Sequence, residues 1–192
     1  MNKVNVTEKV ESWWNSNPFT YNGGIGVGKL VEHDDNLTIE YFDTIDRRFR
    51  KHSGGSLQEE GKPLFSKFIE YTQLRGKKVL DIAVGSGFTA VGYARAGAEV
   101  TGIDITDYAI VQSKKNFELR GLTADIRKMD AQKLDFEDNT FDFVSAHGCL
   151  MHMPDTQGAV KEIYRVLKPG GKIYVWMYHR GWYFWFNILV LR

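Results

Sequence analysis

With 192 residues the chain is long enough for one α/β domain with a sizeable core, and 43% hydrophobic with 26% charged residues suits a globular protein rather than a disordered one. The 25 basic and 24 acidic side chains leave a formal net charge of +1, which gives no general electrostatic grip on nucleic acid or anionic lipid. The single cysteine, Cys149, excludes an internal disulfide framework, and with neither a secretory-signal core at the start nor a run of about 18 apolar residues, a cytoplasmic location is expected.

Residues 1–55 follow no regular alternation. They carry Trp13, Trp14, Pro18, Phe19, Tyr21 and a glycine cluster at Gly23, Gly24, Gly26 and Gly28. Within them Tyr41, Phe42, Ile45 and Phe49 recur at helical spacing and predict a helix over 38–52, ended by Gly54 and Gly55. Leu64, Phe65, Phe68, Ile69 and Leu74 predict a second helix over 56–75. From residue 77 the rhythm changes. VLDIAV (79–84) is a short apolar run ending at glycines, as in a buried parallel strand. A helix follows over 88–97 and a strand over 99–105; Thr106 then caps a helix over 107–121. Strands are predicted over 124–131, 141–148 and 172–179, and a helix from Asp155 to Lys168 ends at Pro169-Gly170-Gly171. Strands alternating with helices imply an α/β fold with a parallel sheet covered on both faces. The last segment, GWYFWFNILVLR (181–192), is apolar on nearly every side and predicts a helix meant to be buried.

Four places carry chemistry. In DIAVGSGFTA (81–90) a strand runs through Gly85-Ser86-Gly87 into a helix, so bare main chain can lie against a ligand. Alone, the loop also fits the dinucleotide fingerprint. Asp104 ends the next strand, where an acid suits a ribose diol because a carboxylate only accepts hydrogen bonds. The competing reading, a helix cap, is already met by Thr106. Asp130-Ala131 ends the third strand, placed to read an adenine edge or to stand as a solvated loop acid. FDFVSAHGCLMHMPD (141–155) brings Ser145, Ala146 and His147 to a strand's carboxyl end, where open α/β sheets bind ligands. His147, Cys149 and His152 crowd into one turn without a second ligand pair, so no metal site is expected.

Together with LKPGGKIYV (167–175), these motifs resemble the class I S-adenosylmethionine-dependent methyltransferases, in particular the broad small-molecule group with the pattern DxGxGxG, D, DA, FD and LKPGG. The resemblance covers residues 77–179. It implies a Rossmann-like, doubly wound, mostly parallel sheet with helices on both faces, and S-adenosylmethionine as cofactor, released as S-adenosylhomocysteine. It further implies that Asp81 orients the glycine loop and reaches the methionine amino group through water. Ala83, Gly85 and Gly87 offer backbone to the methionine carboxylate and ribose. Asp104 holds the ribose hydroxyls, Ile105 packs on the adenine, Asp130 and Ala131 face its edge, and Ser145 to His147 line the methionine end. The pattern's first loop glycine is Ala83 here, and its familiar pair of histidines reads Met151-His152.

ESWWNSNPF and YFDTIDRRFRKH are similar to the start of methyltransferases with a WW…NP element, whose N-terminal helices cover the cofactor and shape the substrate pocket. A cap over 1–55 and a cofactor-binding core over 56–192 are therefore expected, with most of Trp13, Trp14, Phe19, Tyr41 and Phe42 packing and one or two lining the pocket. The resemblance also implies two further strands after the fifth, the last antiparallel. No residues remain to build them, so a truncated chain, or one completed by a partner or oligomer, is expected, with 181–192 as an interface or membrane-associated segment. The expected function is methyl transfer to a small-molecule or lipid-like acceptor, with His147 as the candidate base because histidine titrates near neutrality. Two alternatives stand beside it. One is a non-catalytic cofactor-binding or scaffold subunit. The other is a nicotinamide-dependent oxidoreductase, whose catalytic pair Tyr164-x-x-x-Lys168 mimics.

Overall fold

The computed structural model describes residues 6–17, 37–52 and 57–177. Five strands form one parallel sheet in the order β3-β2-β1-β4-β5: β1 Lys78–Ile82, β2 Glu99–Asp104, β3 Asp125–Lys128, β4 Phe141–His147 and β5 Leu167–Trp176. The helices are α1 Val6–Ser16, α2 Ile39–His52, α3 Phe88–Arg95, α4 Asp107–Leu119 and α5 Thr156–Val166. The Rossmann-like, doubly wound expectation holds. Successive strand residues take opposite faces, and each face has its own core. Val79, Val100, Ile126 and Phe143 join Val91, Tyr93 and Phe117 on one side, while Leu80, Ile82, Ile103 and Val144 join Ala159, Ile163 and Val166 on the other.

Local chemistry sets the element ends. Gly87 opens α3 with φ +81°, and an added Cβ there would stand 3.3 Å from Ser113 Cβ, so the glycine lets α4 pack close under the loop. Thr106 caps α4 as expected, its hydroxyl accepting from Ala109 N. Asp155 does the same for α5, accepting from Gly158 N.

Two predicted elements differ. Residues 57–75 hold turns and a 3-10 turn at Tyr71–Leu74, not a long helix. Pro63 cannot donate a helical hydrogen bond, and Gly61 (φ +71°) and Phe65 (φ +62°) sit in the left-handed region. Leu64, Phe65, Ile69 and Leu74 are still buried, but Phe68 is exposed. The helix expected to reach Lys168 ends at Val166. The carbonyls of Arg165 and Val166 instead accept from Asn139 and Thr140, and β5 begins at Leu167. Leu167 pairs with Phe141 and Lys172 with Phe143, so Lys168-Pro169-Gly170-Gly171 bulges within the strand rather than preceding it. Phe19 and the segment 181–192 lie outside the described residues.

Candidate active site

The five strands point the same way, so their carboxyl ends share one edge of the sheet. A cavity of about 700 Å³ lies across that edge. Its floor runs from Ala83 and Gly85 after β1, through Asp104 to Thr106 and Met129 to Gln132, to His147 and Trp176 at the ends of β4 and β5. This is where the strand order reverses and where open sheets bind ligands. Trp14 of α1 and Phe49 of α2 close it from above.

The glycine loop is held from below. Asp81 is fully buried; Ser145 Oγ donates to its Oδ1 at 2.6 Å and Thr89 Oγ1 to its Oδ2 at 2.7 Å. The first contact exists because Asp81 and Ser145 are direct partners across the β1–β4 ladder. Burial pushes the Asp81 carboxyl up to about 6, and the two hydroxyl donors oppose that shift. Asp81 therefore braces the loop, linking β1, β4 and α3. Ala83 takes φ +58°, a left-handed conformation that costs a non-glycine residue roughly 1–2 kcal/mol. Gly85, at φ +54°, would set a Cβ in nearly open space, with only Ala83 O at 3.9 Å. The backbone here is bare toward the cavity.

Asp104 faces the same space. Its Oδ2 accepts from Gly85 N at 3.2 Å, and its Oδ1 from Thr106 N and Thr106 Oγ1 at 3.0 and 2.9 Å. Burial raises its carboxyl, and these donors offset part of the shift. The acid thus both orients the cap of α4 and keeps lone pairs available, since a carboxylate has about four acceptor sites. Asp130 also lines the cavity, its carboxylate fixed by Gln132 N and Nε2 at 2.9–3.0 Å.

Of the predicted site residues, Ala83, Gly85, Asp104, Ile105, Asp130, Ala131 and His147 line this single cavity. Asp81, Gly87, Ser145 and Ala146 lie behind it and support it. Among the aromatics, Phe42 is core, Tyr41 OH accepts from Gln112 Nε2 at 2.7 Å, Trp13 is mostly exposed, and Trp14 reaches the cavity, edge-on to His152. Cys149 is buried, its thiol pushed up to about 12 by burial, which suits packing rather than nucleophilic attack. Tyr164 is 82% exposed, and Lys168 Nζ pairs with Asp142 near the start of β4; neither lines the cavity.

Sequence reasoning missed Tyr93 and Phe65. Tyr93 OH lies 3.1 Å from His147 Nε2, and Phe65 stacks on the imidazole at 4.3 Å with planes 14° apart. The signal for Tyr93 was its place one helical turn after Thr89. Phe65 gave none, because its left-handed backbone belongs to no regular element. Burial alone pushes His147 down to about 3, so the imidazole is neutral at physiological pH.

A parallel sheet with this glycine loop, an acid after β2 and an acid after β3 defines a nucleoside-cofactor fold of the methyltransferase type. The methyltransferase domain family matches residues 80–175, and the chain belongs to it, among the class I S-adenosylmethionine-dependent methyltransferases. Similar proteins include phosphoethanolamine N-methyltransferase 2 of Caenorhabditis elegans, 37% identical over 126 residues, covering 65% of this chain and 28% of that one. Ubiquinone biosynthesis O-methyltransferase of Coxiella burnetii is 34% identical over 113 residues, 58% of this chain and 48% of that one. A solved SAM-dependent methyltransferase from Methanosarcina mazei superposes with TM-score 0.50 at 31% identity, covering 57% of this chain and 54% of that one. The chain thus spans less than half the length of these two curated relatives. The cofactor is S-adenosylmethionine. Bare backbone at Ala83 and Gly85 and the acceptor-only carboxylate of Asp104 fit its carboxylate and its ribose diol.

Proposed function

We propose that this chain transfers a methyl group from S-adenosylmethionine to a small-molecule acceptor. The carrying observation is that one cavity joins the glycine loop and Asp104 on one side to His147 and an aromatic wall on the other. In this reading Asp104 accepts from the ribose hydroxyls, and Ile105, Asp130 and Ala131 surround the adenine. The loop from Ala83 to Gly85 faces the methionine carboxylate, and Asp81, Gly87, Ser145 and Ala146 hold those groups in place. His147 faces the acceptor.

The cofactor supplies an already activated sulfonium methyl, so the protein's part is alignment, worth about 7–11 kcal/mol in favourable systems. A base is needed only where the acceptor loses a proton. The names of two relatives, a phosphoethanolamine N-methyltransferase and a ubiquinone biosynthesis O-methyltransferase, support a small-molecule acceptor. The division into a cap over 1–55 and a core over 56–192 is part of this proposal, supported by α1 and α2 lying over α4. So is a cytoplasmic location; no helix among the described residues is long and apolar enough to cross a membrane. Membrane or partner contact through 181–192 rests on its apolar sequence alone.

The test is thermal denaturation with S-adenosylmethionine, S-adenosylhomocysteine and NAD. A ligand at about 100 times its dissociation constant adds roughly 2.7 kcal/mol. Stabilisation by the first two, lost in Asp104→Ala, is expected; stabilisation by NAD alone overturns the reading.

A further inference from the structure

Helix α4 buries three polar side chains, Gln112, Ser113 and Asn116, at 4%, 0% and 1% exposure. Two of them have their partners within the fold. Ser113 Oγ donates to the Ala109 carbonyl at 2.7 Å. Asn116 Nδ2 donates to the Ser86 carbonyl in the glycine loop at 2.8 Å, and its Oδ1 accepts from Arg120 Nε at 2.6 Å. Gln112 is different. Its Nε2 donates to Tyr41 OH of α2 at 2.7 Å, and among the described residues its side chain makes no other hydrogen bond. A carbonyl oxygen and one N–H therefore stay uncommitted on a buried residue, whereas buried amides are normally hydrogen-bonded throughout.

The open half of that amide belongs to the cavity. Gln112 lines it together with Gly85, Ser86 and Phe88. Among the described residues the side-chain atoms sealed in the core without a partner are Asp46 Oδ1 and His147 Nδ1, so the Gln112 oxygen is not sealed off, and the space it opens on is the cavity. Its place along α4 sets which part of a ligand it meets. Asp104 and Thr106 stand at the start of the helix. Gln112 comes later, one turn before the Asn116 that holds Ser86, and so stands beside the glycine loop. In either orientation of the amide at least one N–H remains for a ligand. A neutral carboxamide with a donor and an acceptor open suits an α-amino acid, whose carboxylate accepts and whose ammonium donates.

We propose that Gln112, held by the Tyr41 hydroxyl, binds the amino-acid end of S-adenosylmethionine and fixes it against the glycine loop. Gln112 stands outside every motif of the family pattern. The inference rests on the placement proposed above, with the ribose at Asp104 and the methionine end at the loop from Ala83 to Gly85. Nε2–H donates to the carboxylate and Oε1 accepts from the ammonium. Tyr41 belongs to α2, the helix that also brings Phe49 to the cavity, so one hydrogen bond ties that wall to the polar end of the cofactor. Alignment of the methyl group toward the acceptor is what such a tether supplies.

The experiment is calorimetry of the full chain with two ligands. One is S-adenosylhomocysteine. The other is 5′-methylthioadenosine, which keeps the adenine, ribose and sulfur and lacks the amino-acid end. Gln112→Leu, close in size and without the amide, should weaken S-adenosylhomocysteine about ten- to hundredfold, the loss of hydrogen bonds to charged groups, and leave 5′-methylthioadenosine unchanged. Gln112→Glu, which sets a carboxylate against a carboxylate, should show the same selective loss, and it decides the matter if the leucine variant does not fold. Tyr41→Phe should weaken S-adenosylhomocysteine in the same direction by a smaller factor. Equal loss for both ligands, as a merely structural role would give, or no loss for either, overturns the proposal. Asp104→Ala tests the placement of the cofactor separately and should weaken both ligands alike. If it weakens neither, that placement fails and this inference with it. If it weakens both while the Gln112 variants bind as wild type does, the placement stands and the role of Gln112 alone falls.

Discussion

Ala83 stands where the family pattern has glycine and still adopts the glycine conformation, with φ +58°. Ala83→Gly removes the left-handed penalty and is expected to stabilise the fold by about 0.5–1 kcal/mol, less than the full penalty because glycine also loosens the unfolded chain; urea denaturation measures it. His147 has a second consequence. Its folded value of about 3 lies below the ordinary 6.5, so between those limits the unfolded chain binds the proton the folded chain refuses. Stability from this residue is complete above pH 6.5 and is lost as pH falls below it, by about 2 kcal/mol at pH 5. Asp81 acts in the opposite sense. Its value is raised from 3.8 to about 6, so its contribution to stability declines as pH rises through that window. Denaturation of His147→Phe at pH 7 and pH 5 separates the two: relative to wild type, the variant should gain about 2 kcal/mol on going to pH 5. An unchanged difference would mean that the imidazole is not buried as described.

At the scale of elements, close approach of strands, loops and helices depends on two glycines. Gly102 in β2 has Ile126 Cδ1 and Val84 Cγ2 at 2.8 and 2.9 Å from where a Cβ would sit. Both are packed core atoms beside the glycine loop. Gly102→Ala should cost about 1–3 kcal/mol by overpacking and weaken cofactor binding by displacing Val84; a melting curve and a titration with S-adenosylhomocysteine check both. Gly87→Ala combines φ +81° with the contact to Ser113 and should cost about 1–2 kcal/mol by the same assay. Its importance to the site is therefore indirect, through the seat of α3 on α4.

Across the whole molecule, α2 packs into the same core as the sheet, so the two are expected to unfold together. Phe49 of α2 belongs to the same buried cluster as Val91 and Phe143. Arg120, at the end of α4, donates to Asp43 and Asp46 of α2 at 2.8 and 3.4 Å and to Asn116 at 2.6 Å. Burial raises the Asp46 carboxyl and Arg120 opposes the shift. Arg120→Met should cost about 2–3 kcal/mol, because the half-buried Asp46 loses its charged donor. A single denaturation transition moved to lower urea is the expected result; two transitions would show that α2 unfolds apart from the sheet. On α1, Glu11 reaches Lys128 at the end of β3, and Asn15 accepts from Tyr108 N at the start of α4.

Sequence alone determined the alternation of strands and helices, the glycine loop, and the acids at the ends of β2 and β3. Each is local: apolar runs mark buried strands, glycines mark turns, and the residues at or just after a strand's carboxyl end lie along the ligand edge. The lining residues Ala83, Gly85, Asp104, Ile105, Asp130, Ala131 and His147 were legible for that reason. Helical spacing misled over 57–75, because Leu64, Phe65, Ile69 and Leu74 are buried by tertiary packing without forming one helix. The bulge at Lys168 to Gly171 was read as a turn before the strand, since only pairing with β4 shows that Leu167 already belongs to the sheet. The bracing of Asp81 by Ser145, 64 residues away, and the hold of Tyr93 on His147, 54 residues away, exist only because β1, β4 and α3 are adjacent in space. What the imidazole at the cavity wall can do is set by its neighbours and its desolvation, neither of which is a property of a residue in a string.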